Sequence, residues 1–260
     1  MSNETEKLKL PSFRLDGKTA LVTGAGTGLG AAIALGLSES GAEVWLVGRT
    51  QSNLEETAAL IAQRGGRAHV AVCDVTHSNA VRQAIAALPR LDVLINNAGT
   101  NFPEPFVDVS DEHLDTMLDL NVRAAFVVAQ AAARKMLEDP MRTDASIIHI
   151  SSQMGHVGSP NRTVYCMTKH ALEGLTKAMG VELAPKKIRV NSIGPTFTDT
   201  PLVRRVVDTP EKRDFVMSKI PMGRLASLED MMAAAVFLAS PAAAMITGTH
   251  LIVDGGWTAQ

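Results

Sequence analysis

The chain has 260 residues, 25 Lys and Arg against 27 Asp and Glu, a net charge of −2 and an apolar fraction of 46%. That size suits one large α/β domain with a substantial core. No basic run, aromatic-basic patch, apolar segment of membrane-spanning length or signal-peptide pattern is present, which argues against nucleic acid and membrane as partners.

Residues 1–14 are expected to form a flexible extension before a single domain over 15–260. Residues 19–22 form a short apolar run that predicts a buried strand. It leads into Thr23-Gly24-Ala25-Gly26-Thr27-Gly28-Leu29-Gly30 and then a helical pattern to about Glu39. Strand, glycine-rich turn and helix in that order make a phosphate-binding device. Glycines let the backbone approach closely, and the helix N-terminus offers free N–H groups to a pyrophosphate. The spacing is G-x-x-x-G-x-G rather than G-x-G-x-x-G. An ordinary strand-helix turn has the same look.

Residues 43–47 predict a second strand, followed by Gly48-Arg49-Thr50. An acidic residue there would bind both adenosine ribose hydroxyls and signal NAD, whereas an arginine accepts a 2′-phosphate. Arg49 therefore predicts NADP(H), with NAD still open. An exposed arginine opening the next helix is the alternative. Thr27 adds no second basic contact.

A helix is predicted over 52–64, a strand over 68–72 and a helix over 77–88, stopped before Pro89. Asp74, at the third strand's end beside Val75, can accept a hydrogen bond from an adenine amino group or cap the following helix. Residues 92–95 predict a fourth strand, running into Asn96-Asn97-Ala98-Gly99. That sequence suits a tight turn or the border of a ribose. A long helix starts near Ser110, with Asp111 and Glu112 in its first turn, and runs to about Leu137. It contains Asn121, a residue helices do not favour.

Residues 138–144 predict a polar loop and 146–150 a fifth strand, leading to Ser151-Ser152. A helix over 163–183 carries Tyr165, the chain's one tyrosine, and Lys169 four residues on. Residues i and i+4 share a helix face, so a phenol and an ammonium can point into one space. A nearby cation favours phenolate and lowers an otherwise high phenol pKa. Ser152 can offer its hydroxyl to a substrate oxygen. An aromatic packed on a helix with a solvated lysine is the plainer reading of Tyr165 and Lys169 alone. A sixth strand over 188–193, a broken segment from Gly194 to Pro201, a mixed-polarity stretch over 202–220, a helix capped by Ser227 and Asp230, and a seventh strand over 250–253 complete the chain. Alternating strands and helices predict an α/β fold with one doubly wound, seven-stranded parallel sheet flanked by helices. Every motif falls at a strand's carboxyl end, where such sheets bind ligands.

Taken together, these motifs resemble the short-chain dehydrogenase/reductase family over about residues 15–257. Thr23-Gly24-x3-Gly28-x-Gly30, Asp74, Asn96-Asn97-Ala98-Gly99, Asn121, Ser152, Tyr165-x3-Lys169 and Pro195-x4-Thr200 stand in the family's order. The resemblance implies a Rossmann fold and hydride transfer between a nicotinamide and a secondary alcohol or ketone. Tyr165 would exchange the proton and Lys169 would hold the nicotinamide ribose and lower the tyrosine pKa. Ser152, rather than Ser151, would polarise the carbonyl, and Asn121 would bind a water linking Lys169 to solvent. Gly24, Thr27, Gly28, Leu29, Gly30, Arg49, Asp74, Val75, Asn97, Ala98, Gly99, Pro195, Thr198 and Thr200 would line the dinucleotide. Thr196 replaces the family's usual glycine, and a β-branched residue lacks glycine's freedom. A homotetramer is implied by the family alone.

Gln153, His156, Arg162 and Phe197 are the candidate substrate contacts. They suit a sugar, polyol or sugar acid, with Arg162 facing a carboxylate. A solvated Arg162 and a backbone-bonded His156 are the alternatives. Phe197, Val203 and Met217 fit a 3-oxoacyl thioester as well. A dinucleotide-sensing protein without turnover is the non-enzymatic reading. The two cysteines, Cys73 and Cys166, lack metal-ligand spacing, so no metal is expected and a reducing cytoplasm is the simplest setting.

Overall fold

The computed structural model describes residues 9–140, 143–200, 203–204 and 207–260. Residues 1–8 and parts of the predicted 138–144 loop and 202–220 stretch lie outside the described residues. Seven strands are present: β1 (Thr19–Thr23), β2 (Glu43–Gly48), β3 (Arg67–Val72), β4 (Val93–Asn96), β5 (Ala145–Ile150), β6 (Ile188–Pro195) and β7 (His250–Val253). They form one sheet in the order β3-β2-β1-β4-β5-β6-β7. Every pairing is parallel. Between the strands run α1 (Gly28–Glu39), α2 (Gln51–Gln63), α3 (Ser78–Ala86), α4 (Asp111–Leu118), α5 (Ala125–Leu137), α6 (Thr163–Leu183), α7 (Pro210–Ser218) and α8 (Leu228–Ala239). This is the doubly wound sheet expected from the alternation, with its order reversing between β1 and β4.

The strand period of two separates the core into two layers. Ala20, Val22, Val93, Ile95, Ile148 and Ile150 pack with Ile33 and Leu37 of α1 and Met231 and Leu238 of α8. Leu21, Leu94 and Ile147 point the other way, into Val81 and Ile85 of α3 and Val128 and Met136 of α5. β1, β4 and β5 are buried along their whole length, as parallel strands covered on both faces must be. A fixed sheet of this kind sets the carboxyl ends of its strands as a rigid platform.

Local signals act where the residues predict. Ser227 Oγ accepts from Asp230 N at 3.3 Å while Asp230 Oδ2 accepts from Ser227 N at 2.8 Å, closing the expected capping box on α8. The buried Arg189 donates to the Leu238 carbonyl at 2.7 Å, placing a cation where the last carbonyls of α8 need donors. One element differs from expectation. The long helix predicted from Ser110 to Leu137 is interrupted over Asp119–Ala124 by a π-helical turn. A single inserted residue barely disturbs a 3.6-residue apolar period, so pattern reading passes over it. Such insertions concentrate at functional sites, and this one carries Asn121.

Candidate active site and dinucleotide cradle

β1 delivers the chain into Gly24 at φ +65°, a conformation that suits glycine. A Cβ on Gly24 would stand 2.8 Å from Asn97 Nδ2, and one on Gly30 would overlap the Gly24 carbonyl. Only glycine permits this tight turn against β4. Exposed Thr27 is the N-cap of α1 and makes no side-chain cap bond, so it leaves the first-turn N–H groups of Gly28, Leu29 and Gly30 for another acceptor. The cradle fits a pyrophosphate.

The neighbouring strand ends complete this half of the site. Arg49 lies exposed at the end of β2. Asp74 Oδ1 accepts from Thr76 N at 3.0 Å and Thr76 Oγ1 at 2.8 Å, forming a local turn. It does not cap α3, whose N-cap is His77. Burial pushes the Asp74 carboxyl up, but the Thr76 bonds, helped by Arg49 and His77, hold it below the usual carboxylate value. Val75 beside it is buried. Asn97 N donates to Thr23 Oγ1 at 2.9 Å and its Nδ2 donates to the Thr23 carbonyl at 2.9 Å. Ala98 N shares the Thr23 hydroxyl at 3.1 Å. These bonds lock the fourth strand's turn to the glycine loop, and Gly99 is left exposed beside it.

The chemistry-bearing residues meet where β5 faces α6. Lys169 Nζ donates to the Ile150 carbonyl at 2.8 Å and lies 5.4 Å from the Tyr165 ring centroid. Burial lowers the Lys169 pKa to about 8, with Glu173 opposing. Burial pushes the Tyr165 phenol up, while the Ser152 hydroxyl and the Arg162 guanidinium pull it down. The net direction is upward, where the sequence predicted a lowering by Lys169. The ammonium is committed to Ile150 and sits over the ring rather than at its oxygen, so Ser152 and Arg162 do the pulling instead. Ser152 is 6% exposed, and its Oγ accepts from Met154 N at 3.1 Å, which fixes the rotamer beside Tyr165.

Asn121 is buried in the π turn. Its Oδ1 accepts from Thr100 N and its Nδ2 donates to the Thr100 carbonyl, both at 2.8 Å, and Nδ2 also reaches Thr168 Oγ1 at 3.2 Å. The side chain thus ties the loop after β4 to α6, next to Lys169. Thr196, despite its branched side chain, is not among the residues with positive φ. Its N–H donates to Val253 at 3.3 Å, so ordinary strand-end geometry replaces glycine's freedom there. Pro195 ends β6 in register with Val253. Thr198 Oγ1 donates to the Thr196 carbonyl at 3.2 Å, and Thr200 Oγ1 accepts from Val203 N at 3.2 Å.

The candidate substrate residues divide. Arg162 is half-buried at the start of α6, close enough to Tyr165 to act on it electrostatically. Gln153 is 1% exposed, and neither side-chain amide atom has a hydrogen-bond partner in the protein. Phe197 stacks on Trp257 at 5.8 Å. His156 turns instead to Glu173 and His250: its Nε2 is 3.8 Å from Glu173 Oε2, and its ring is 4.0 Å from that of His250. Burial pushes the Cys166 thiol up, as befits a packing residue. Sequence reasoning missed Glu173, Ser192 and His250. Only Glu173 left a signal, standing one helical turn beyond Lys169 on the same face.

A family model described as Enoyl-(Acyl carrier protein) reductase matches residues 24–258. The chain is a short-chain dehydrogenase/reductase. It is 39% identical over 247 residues to the L-xylulose reductase of Bos taurus, covering 95% of this chain and 99% of that protein. It is 39% identical over 253 residues to the D-threitol dehydrogenase of Mycolicibacterium smegmatis, covering 95% of each. Among solved structures, a gluconate 5-dehydrogenase from Burkholderia cenocepacia J2315 in complex with NADP and tartrate superposes with a TM-score of 0.91 at 35% identity, over 96% of this chain and 99% of that one. As a short-chain dehydrogenase/reductase, the protein is an oxidoreductase, and the motifs that suggested the family extend over nearly its whole length. Among the described residues, no helix is long and apolar enough to cross a membrane.

Proposed function

We propose that the protein interconverts a ketone and a secondary alcohol in a sugar, polyol or sugar acid, using NADP(H). The observation that carries this reading is the polar setting of Tyr165, where the Ser152 hydroxyl and the half-buried Arg162 guanidinium both act on the phenol. A hydroxyl and a guanidinium beside the reacting phenol are donors that the oxygens of a polyhydroxylated substrate can accept from. Relatives named for L-xylulose, threitol and gluconate support it.

The glycine turn and α1 would hold the pyrophosphate, Arg49 the 2′-phosphate, Asp74 and Val75 the adenine, and Asn97, Ala98 and Gly99 the adjoining ribose. Lys169 would hold the nicotinamide ribose, and Pro195, Thr198 and Thr200 the carboxamide. When bound, the nicotinamide supplies or accepts the hydride. Ser152 donates a hydrogen bond to the substrate oxygen, and Tyr165 gives or takes its proton. A phenol kept protonated by burial is ready to act as the acid in ketone reduction. Asn121 positions the loop after β4 and keeps Lys169 in contact with solvent through water. Arg162 pairs with a substrate carboxylate, and Phe197 closes the apolar side of the pocket.

The Phe197–Trp257 stack also favours a second reading, reduction of a 3-oxoacyl thioester against an apolar wall. Initial rates of NADPH oxidation with L-xylulose, a keto-sugar acid and an acetoacetyl thioester separate the two. Faster turnover of either sugar substrate supports the proposal, and faster turnover of the thioester overturns it. We propose further a cytoplasmic homotetramer built from one domain over residues 15–260. Exposed Phe126 of α5, Met167 and Val181 of α6 and Ile252 of the edge strand β7 supply apolar surface for subunit contacts, and both cysteines are free.

A further inference from the structure

A second polar cluster lies behind Ser152, on the α6 side of the sheet. Three elements far apart in sequence build it. His156 follows Ser152 by four residues, Glu173 follows Lys169 by one turn of α6, and His250 opens β7. A ring nitrogen of each histidine and a carboxylate oxygen lie within 4.8 Å of one another. His250 Nδ1 is 2.8 Å from Glu173 Oε2. Ser192 Oγ donates to the same oxygen at 2.8 Å and stands 2.9 Å from His250 Nδ1.

The cluster is under-satisfied. Glu173 and His250 have side chains only 6% and 5% exposed, yet Glu173 Oε1 and His250 Nε2 have no hydrogen-bond partner in the protein. Ser151 Oγ, on the same side, is also buried without one. Lys169 does not serve them, because its ammonium is given to the Ile150 carbonyl. Buried lone pairs left unmatched are costly, and a carboxylate most of all. His156, with its side chain 35% exposed, borders the cluster on the solvent side and offers a way in.

We propose that His156, Glu173 and His250 bind a divalent transition-metal cation of the zinc class. Two imidazoles and one carboxylate are a ligand set such ions accept, with a water completing four-coordination. Ser192, which donates to Glu173 Oε2, and the ring N–H left free of the ion provide the outer hydrogen bonds that orient ligands. The ion would pin the segment after Ser152 to α6 and β7. The sequence predicted no metal because the ligands have no short spacing and only the fold brings them together. This site does not depend on the hydride-transfer reading.

The test is calorimetric titration of ZnCl2 into the full chain after chelator treatment, with thermal melting read in parallel. Wild type should take up one equivalent per chain and melt at higher temperature with Zn2+. His156→Ala, at the rim and so harmless to folding, should weaken Zn2+ at least tenfold, and Glu173→Gln should do the same. A surface control, His77→Ala, should bind as wild type. No uptake by wild type, or undiminished uptake by a folded His156→Ala, overturns the site.

Discussion

Ser151 and Ser152 are adjacent in the chain and serve opposite sides of the end of β5. Successive side chains on extended backbone point to opposite faces. Ser152 Oγ stands beside Tyr165 and lowers its pKa. Ser151 Oγ lies towards Glu173; it lacks hydrogen-bond geometry with any partner but is near enough to help draw that carboxyl down. Removing each hydroxyl separates the two. Ser152→Ala should lose roughly 100- to 1000-fold in kcat, the usual effect of deleting one donor to a reacting oxygen. Ser151→Ala should keep most of its turnover. Steady-state rates of both variants check this, and equal losses would contradict the division.

Lys169 holds a charge in a buried place. Its folded pKa of about 8 lies below the ordinary lysine value of 10.5. The unfolded chain therefore binds more protons between those values, and stability rises with pH through that window. Below pH 8 the buried ammonium costs about 3 kcal/mol, at about 1.4 kcal/mol per pH unit. Lys169→Met should abolish turnover yet melt at a higher temperature than wild type at pH 7, with the advantage shrinking above pH 8. A lower melting temperature at pH 7 would show that the Ile150 bond outweighs the desolvation.

His149 gives the complementary acid dependence. It is wholly buried in β5, 3.3 Å from Asn96 Nδ2, and burial lowers its pKa to about 4. Its neutral form is native, so the stability it contributes is complete above pH 6.5 and is lost as the pH falls through about 4. That loss amounts to about 3 kcal/mol. His149→Gln keeps an acceptor for Asn96 and removes the titration. Its melting temperature should fall less than that of wild type between pH 6.5 and 4.

Arg49 sets the cofactor preference. A charged hydrogen bond is worth about 1.5–3 kcal/mol, so Arg49→Ala should weaken NADPH binding roughly 10- to 100-fold and leave NADH almost unchanged. Fluorescence titration of both cofactors reads this directly. A parallel loss for NADH would move the role of Arg49 from phosphate recognition to folding.

The sheet was readable because its signals are local. Apolar runs, glycine turns and the Ser227–Asp230 box each act within a few residues, and α6 has the bounds its pattern predicted. The glycine loop, Arg49 and Ser152 follow strand ends for the same reason, and Tyr165 stands in the first turn of α6. What escaped depends on long-range placement. The π turn at Asn121 is stabilised by Thr100 and Thr168, which lie 21 residues before it and 47 after it in sequence. The Glu173–His250 contact joins α6 to the last strand. His156 looked like a substrate contact from its distance to Ser152 in sequence, but its rotamer is set by partners no local pattern names. The upward shift of the Tyr165 phenol likewise depends on burial, which sequence spacing does not report.

The most direct test of the central claim is the turnover of Tyr165→Phe with NADPH and the best sugar substrate, with NADPH binding measured on the same sample. Deleting one oxygen removes the proton-transferring group and leaves the ring's packing under Lys169 intact. The variant should bind NADPH as wild type does and lose roughly 100- to 10,000-fold in kcat, the range general acid catalysis supplies. A variant that binds NADPH and still turns over at the wild-type rate would contradict the assignment of Tyr165 as the acid and, with it, the site described around β5 and α6.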